Sequence, residues 1–274
     1  MKKFYQAIGL LSLLCFSFIL TDKTAEVIKN MDDIMITIKD QKKNYQTRAV
    51  DAVIKDDSII PGISAREVST SDSYRKMKEY GKYNPNLFVY KYTLPNISVE
   101  NNKDKYIISG NKEKRMVSLN FIIDDESEID NIIDILESNQ VLANFFVTDS
   151  FLSDNLELTY HLILEGYNFG IGINQPKNYK WMNTIITKVG KQDNIYCLYQ
   201  NKNTSKYCKK LNGYTIKGYT IDNNYYNMIS KEIESGSIFN LKVNDELDDS
   251  LDLIIKYIKK KGYNITNLDE HIKE

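Results

Sequence analysis

Histidine is nearly missing from this chain: 274 residues hold two, His161 and His271. Catalytic zinc sites draw most of their ligands from imidazole, so any such centre here would need both or would have to do without. Cysteine is as sparse, with Cys15, Cys197 and Cys208. A tetrahedral zinc site cannot be built from two cysteines alone. Charge of one sign is missing as well. Thirty-six Lys and Arg stand against 37 Asp and Glu, a net charge of -1, so no global field draws the chain to nucleic acid. Glycine (12) and proline (4) are scarce throughout. Long apolar runs are absent too, with one exception.

That exception is Ala7 to Leu20, behind Met1-Lys2-Lys3-Phe4. Counted from Phe4 it covers about 17 residues, the lower limit for crossing a bilayer. A cleaved leader ends in small residues, whereas this run exits through Phe18-Ile19-Leu20-Thr21-Asp22-Lys23, and Leu14 rather than a small residue precedes Cys15. The expectation is an uncleaved signal anchor over residues 1–21, with Lys2 and Lys3 holding its short end in the cytoplasm and everything after Thr21 outside. Cleavage would instead give a secreted protein. Either placement permits a disulfide between Cys197 and Cys208 around the polar loop Gln200 to Ser205, and the alternative is two unpaired thiols.

Residues 22–33 are polar and read as a juxtamembrane stalk. Residues 34–110 hold short β-prone runs: Met35 to Ile38, Ala49 to Ile54, Ser58 to Ile60, Leu87 to Tyr92 and Tyr106 to Ser109. A short helix capped near Ser71-Asp72 and stopped at Gly81 lies among them. This predicts a small β-rich module.

From residue 111 the pattern alternates. Strands are expected at 115–123, 142–147, 167–173, 194–199, 214–221, 237–243 and 263–266, with amphipathic helices between. Ile129, Ile132, Ile133 and Leu136 fall at one helical face, as do Leu251, Ile254, Ile255 and Ile258. Ser127 with Asp130 suggests a capping box for the first of these helices. Trp181, Met182, Ile185, Ile186 and Val189 form a third stripe, which assigns Trp181 to the core. Gly166 and Gly262 suit helix C-caps. Seven β/α units imply an α/β fold with a helix-covered parallel sheet, open or closed.

Three stretches carry a family likeness: Met116-Val117-Ser118-Leu119-Asn120-Phe121, Ala143-Asn144-Phe145-Phe146-Val147, and Glu165-Gly166-Tyr167-Asn168-Phe169-Gly170. With the ending Lys261-Gly262-Tyr263 and Leu268-Asp269-Glu270, the chain from about residue 110 resembles the polysaccharide deacetylase family (NodB homology domain). The resemblance implies a distorted (β/α)7 barrel, with a site above the C-terminal ends of its strands. It also implies metal-assisted hydrolysis of non-peptide C–N bonds in acetylated glycans.

The residues for that chemistry are not at the matching positions. Ile122 and Ile123 stand where the family has a general base and a metal ligand. Gly172 and Pro176 match its two metal-binding histidines, and Lys242 matches its acid. Without three ligands, a carboxylate base and an acid, the reaction has no machinery. His161 and His271 both read as surface residues. Asp124 and Asp125 follow the lost pair by two positions, on the same strand face but about 6.5 Å further along, so a metal site there would need the loop to bulge back.

These residues predict no cofactor, zinc or another divalent metal entering only if Asp124 or Asp125 rebuilds the site. Asp149, Asn174, Gln175, Tyr179, Trp181, Tyr199 and Asp222 are the polar and aromatic residues expected near the strand ends, where a sugar could meet both rings and hydrogen-bonding groups. The expectation is a membrane-anchored, catalytically inactive binding or scaffolding module with a cell-wall glycan or envelope protein as partner. An active carbohydrate N-deacetylase with a rearranged site is the alternative.

Overall fold

The computed structural model describes residues 23–125, 129–172 and 178–274. The expected anchor, Ser127 of the expected capping box, Asn174, Gln175 and Pro176 lie outside these residues. Among the described residues, no helix is long and apolar enough to cross a membrane.

The chain divides into two compact units, residues 1–49 with 64–93, and residues 50–63 with 94–274. The division corrects the expected module over 34–110. Residues 50–63 and 94–110 belong with the barrel, because β1 (Val53–Lys55), β2 (Ser58–Ile60) and β5 (Tyr106–Ile107) pair into the main sheet.

The smaller unit contains α1 over residues 23–31 and α2 (Asp33–Gln41). It also contains an antiparallel ribbon of β3 (Ala65–Val68) and β4 (Tyr90–Thr93), and α3 (Thr70–Tyr80). Met35 to Ile38, expected as a strand, is helical. The Asp32 carboxylate accepts from Ile34 N at 3.0 Å and caps α2. Met35 and Ile38, one helical turn apart, are buried, Ile38 in a cluster with Val68, Met77 and Phe88. The alternation of Ile34, Ile36 and Ile38 imitates a strand, but the cap and the buried spacing favour helix. α3 ends at Gly81, whose φ of 89° suits a residue without Cβ.

The larger unit is built on parallel strands: β6 (Met116–Ile122), β7 (Asn144–Val147), β8 (Asn168–Ile171), β9 (Tyr196–Leu198), β10 (Tyr214–Ile216), β11 (Tyr219–Ile221), β12 (Ile238–Lys242) and β13 (Asn264–Ile265). Helices α4 (Asp130–Ser138), α5 (Asp149–Asp154), α6 (Leu156–Leu164) and α7 (Tyr179–Asn183) connect the earlier strands, α7 continuing through a wider turn at Thr184–Val189. Helices α8 (Lys202–Lys210), α9 (Tyr225–Glu232), α10 (Asp245–Lys260) and α11 (Leu268–His271) follow.

The hydrogen-bonded order is β1-β2-β5-β10-β9-β8-β7-β6-β12-β11. The run 214–221, expected as one strand, pairs β9 with its first half and β12 with its second, breaking at Lys217-Gly218. The chain thereby passes from β10, between β5 and β9, to the β11 edge beside β12. The seventh expected strand is short: β13 adds only Asn264 and Ile265 beside Met116 and Val117, below the point where β12 begins.

Alternation along β6 separates two packed layers. Val117, Leu119, Phe121 and Ile123 face the helices, where the α10 residues Leu247, Leu251, Ile254, Ile255 and Ile258 are fully buried. Each such side chain contributes roughly 1.5–3 kcal/mol. Ile122 faces the concave side with Phe146, Tyr196, Leu198, Ile216 and Ile238. Cys197 and Cys208 form a disulfide within the helix-side layer, joining β9 to α8.

Candidate functional site

The concave side of the barrel is organised in rows set by strand register. One row runs Thr220, Asn240, Asn120, Asn144, Asn168. Asn120, Asn144, Asn168 and Asn240 are all buried, and a buried amide is costly unless it is bonded. Here three bond one another and Asn168 bonds Asp269. Asn120 Nδ2 donates to Asn240 Oδ1 and Asn144 Nδ2 to Asn120 Oδ1, both at 2.8 Å.

The belt also receives the terminal helix. Leu268 N donates to Asn144 Oδ1 at 2.7 Å, Asp269 N to Asn168 Oδ1 at 3.1 Å, and Glu270 N to Asn267 Oδ1 at 3.1 Å. Three of the helix-start donors that α11 cannot satisfy internally are thereby met by side chains. Sequence reasoning missed this belt. Its signal was present as Leu119-Asn120-Phe121, Ala143-Asn144-Phe145, Tyr167-Asn168-Phe169 and Phe239-Asn240-Leu241, an asparagine between two apolar residues in each of four strands.

The next row toward the C-terminal ends is Lys242, Ile122, Phe146, Gly170, Tyr196. Ile122 is half-buried and Phe146 fully buried. The Phe146 ring occupies the space over Gly170, where an added Cβ would lie 2.7 Å from a ring carbon. Ile123 is turned away into the helix-side layer. Lys242 is exposed, and its carbonyl accepts from Tyr225 Oη at 2.5 Å.

Gly172 is buried, and a Cβ there would stand 2.9 Å from Val147 O and 3.0 Å from Phe146 O. A side chain at that position requires the backbone to move. The residues present do not fit a divalent metal: two are aliphatic, one has no room for a side chain, and one is a cation. Among the described residues, no three His, Cys, Asp or Glu side chains come together as a metal-binding group.

Asp124 and Asp125 are exposed at the barrel mouth. The Asp125 carboxylate accepts from Thr148 Oγ1, which itself receives Phe151 N at 3.1 Å and caps α5. Asp149 accepts from Asn178 Nδ2. Tyr199 lies against Tyr106, ring centroids 4.6 Å apart, with the Lys217 ammonium 4.7 and 4.8 Å from the two rings. Tyr179 is buried beside Tyr207, and Asp222 is exposed. Trp181, expected in the core, is 41% exposed, because Met182 and Ile186 supply the buried face of that helix.

The two histidines separate. His161 is exposed on α6. His271 is a correction to the expected surface residue: α11 carries it under the barrel floor, where it is fully buried with Nδ1 2.5 Å from Ser118 Oγ. Burial, reinforced by the Lys114 charge, pushes its pKa down to about 3.

A cavity of about 510 Å³ lies at this floor end, away from the mouth. The acids Asp269, Glu100 and Glu274 line it and are already engaged. Asp269 accepts from Asn168, Asn194 and Tyr196. Glu100 accepts from Tyr214 Oη and pairs with Lys103 at 2.9 Å, and Glu274 accepts from Gly62 N and Val99 N. Burial, and then the neighbouring carboxylates, raise the pKa values of Tyr196 and Tyr214, so both hydroxyls act as donors.

The Bacillus anthracis protein BA3943, described as a CE4 family pseudoenzyme, superposes with a TM-score of 0.63 at 20% identity, covering 89% of this chain and 96% of that one. Bacillus subtilis PdaA, a family 4 carbohydrate esterase, gives 0.55 at 22% identity over 64% and 86%. The chain has the polysaccharide deacetylase fold. Within that fold it is divergent, since the positions just described carry none of the expected ligands. A BA3943 mutant described as having restored enzymatic activity superposes equally well, with a TM-score of 0.64. In sequence, the uncharacterized protein YlxY of Bacillus subtilis (strain 168) is 27% identical over 168 residues, 60% of this chain and 51% of that protein. The match thus spans about half of that relative's length. No sequence-family profile matches the chain.

Proposed function

We propose that this protein is a catalytically silent, deacetylase-like module of the cell envelope, tethered by the apolar run Ala7 to Leu20 and binding a glycan or an envelope protein through its barrel domain. The observation that carries this reading is the mouth itself. Where a deacetylase would need a base, metal ligands and an acid, the described chain offers Ile122, Ile123, Gly172 and Lys242, with Phe146 closing the space beneath. Hydrolysis of an acetamide needs an activated water and a proton donor for the leaving amine, and these side chains offer neither a metal ligand nor a base to activate the water.

The alternative is carbohydrate N-deacetylation through Asp124 or Asp125, which the exposed position of both carboxylates supports sterically. The test incubates the full chain with zinc, removes free ion, measures bound metal, and then assays acetate release from acetylated peptidoglycan. Near-zero metal and no acetate are expected. Close to one tightly held metal per chain together with acetate release, both lost in Asp124→Ala or Asp125→Ala, would replace the silent reading with the rearranged enzyme.

A further inference from the structure

Helix α1 over residues 23–31 has an apolar face with no cover among the described residues. Val27, Ile28 and Met31 are 54%, 66% and 73% exposed. At 3.6 residues per turn these three share one side of the helix. Lys29 projects from the opposite side, where its ammonium donates to Ser71 Oγ at 2.7 Å and lies 5.3 Å from the Tyr74 ring. Asn30 accepts from Lys39 Nζ at 2.8 Å. The polar side of α1 is therefore fastened to its own unit, and the apolar side is turned outward. The neighbouring α2 shows the contrast, with Met35 and Ile38 2% and 0% exposed.

What precedes α1 in the chain indicates the occupant. The apolar run ends at Leu20, and the helical residues 23–31 follow it closely in the chain. A segment held in a bilayer up to Leu20 delivers α1 to the headgroup region, where amphipathic helices lie flat with their apolar side in the acyl boundary. Lys23, the first described residue of α1, comes at the level where a lysine stem can run along apolar surface and place its charge among headgroups.

We infer that α1 docks on the bilayer surface through Val27, Ile28 and Met31. The protein would then have a second membrane contact that orients its small unit. This inference rests on the anchor reading above.

The test uses the full chain in phosphatidylglycerol and phosphatidylethanolamine nanodiscs. Cys15→Ser removes the thiol in the apolar run, and Glu26→Cys, Val27→Cys, Ile28→Cys or Met31→Cys is then labelled one at a time with an environment-sensitive fluorophore. Labels at 27, 28 and 31 are expected to shift to the blue and to be quenched by nitroxide on a shallow acyl position, while the label at 26 stays aqueous. All four labels aqueous, with the chain still held in the discs, overturns the docking and leaves the anchor standing. A chain that does not stay with lipid at all overturns both. Labels at 27, 28 and 31 that are shielded without lipid quenching mean that protein covers the face, and this also overturns the docking.

Discussion

The two ends of the barrel have been treated differently. At the floor and waist, polar side chains are buried and bonded to one another: the asparagine belt receives α11, and Asp269 holds Asn168, Asn194 and Tyr196. At the mouth, the positions described above are aliphatic, glycine or an exposed lysine, and the carboxylates of Asp124 and Asp125 are exposed. Buried polar networks are unforgiving of change, because each orphaned partner keeps its full desolvation cost. Exposed carboxylates carry no such cost. The buried, mutually bonded polar groups thus lie at the floor and waist, while the mouth carries exposed ones.

The sharpest way to break the comparison is Asn144→Ala. This change orphans Leu268 N and removes the Asn144 donor from Asn120 Oδ1 and Leu119 O in the barrel interior. At about 1–3 kcal/mol per unsatisfied buried group, an overall loss of about 3–5 kcal/mol is expected. Urea denaturation of the purified chain measures it. A loss below about 1 kcal/mol would mean that the belt is replaceable and would remove the contrast with the mouth.

Much of this contrast was legible in the sequence, but unevenly. The strand–helix alternation after residue 111 predicted strand positions closely, because fully buried parallel strands read as apolar runs. The missing ligands at Ile122, Ile123, Gly172 and Lys242 were legible only through the family likeness. The belt went unread because a mid-strand asparagine resembles a defect until register aligns four of them. The break within 214–221 and the membership of residues 50–63 in the main sheet depend on pairing between distant segments, which local pattern does not encode. Trp181 and His271 were misplaced for one shared reason. Periodicity names an apolar stripe or a polar exception, and tertiary packing decides which side is covered.

A smaller effect tests the floor by pH. His271 titrates at about 3 when folded against an ordinary value of 6.5. Its pKa is depressed in the folded state, so between these values the unfolded chain binds more protons and stability falls as pH falls. The slope for one such group is about 1.4 kcal/mol per pH unit. Between pH 6.5 and pH 5 the contribution lost is about 2 kcal/mol, and above pH 7 it is fully present. Other groups titrate over the same range, so the informative quantity is the difference between the native chain and His271→Asn, which cannot take up the proton. Urea midpoints at pH 7 and pH 5 should converge between the two as pH drops. Parallel midpoints would mean that the imidazole is protonated or exposed in the folded chain.

The mouth should answer with almost nothing. Asp125 exchanges one exposed hydrogen bond with Thr148, and Asp124 is exposed beside it. Asp124→Asn and Asp125→Asn preserve shape while removing charge, and surface changes of this kind stay within about 0.5 kcal/mol. Both variants should therefore unfold within that margin of the native chain and show unchanged zinc uptake and acetate release. A destabilisation above about 2 kcal/mol would make these carboxylates part of the structural network. A change in metal uptake without a change in stability would be more consequential. It would mean that the carboxylates take part in metal binding, and the contrast between an ordered floor and a silent mouth would then fail at its chemical end.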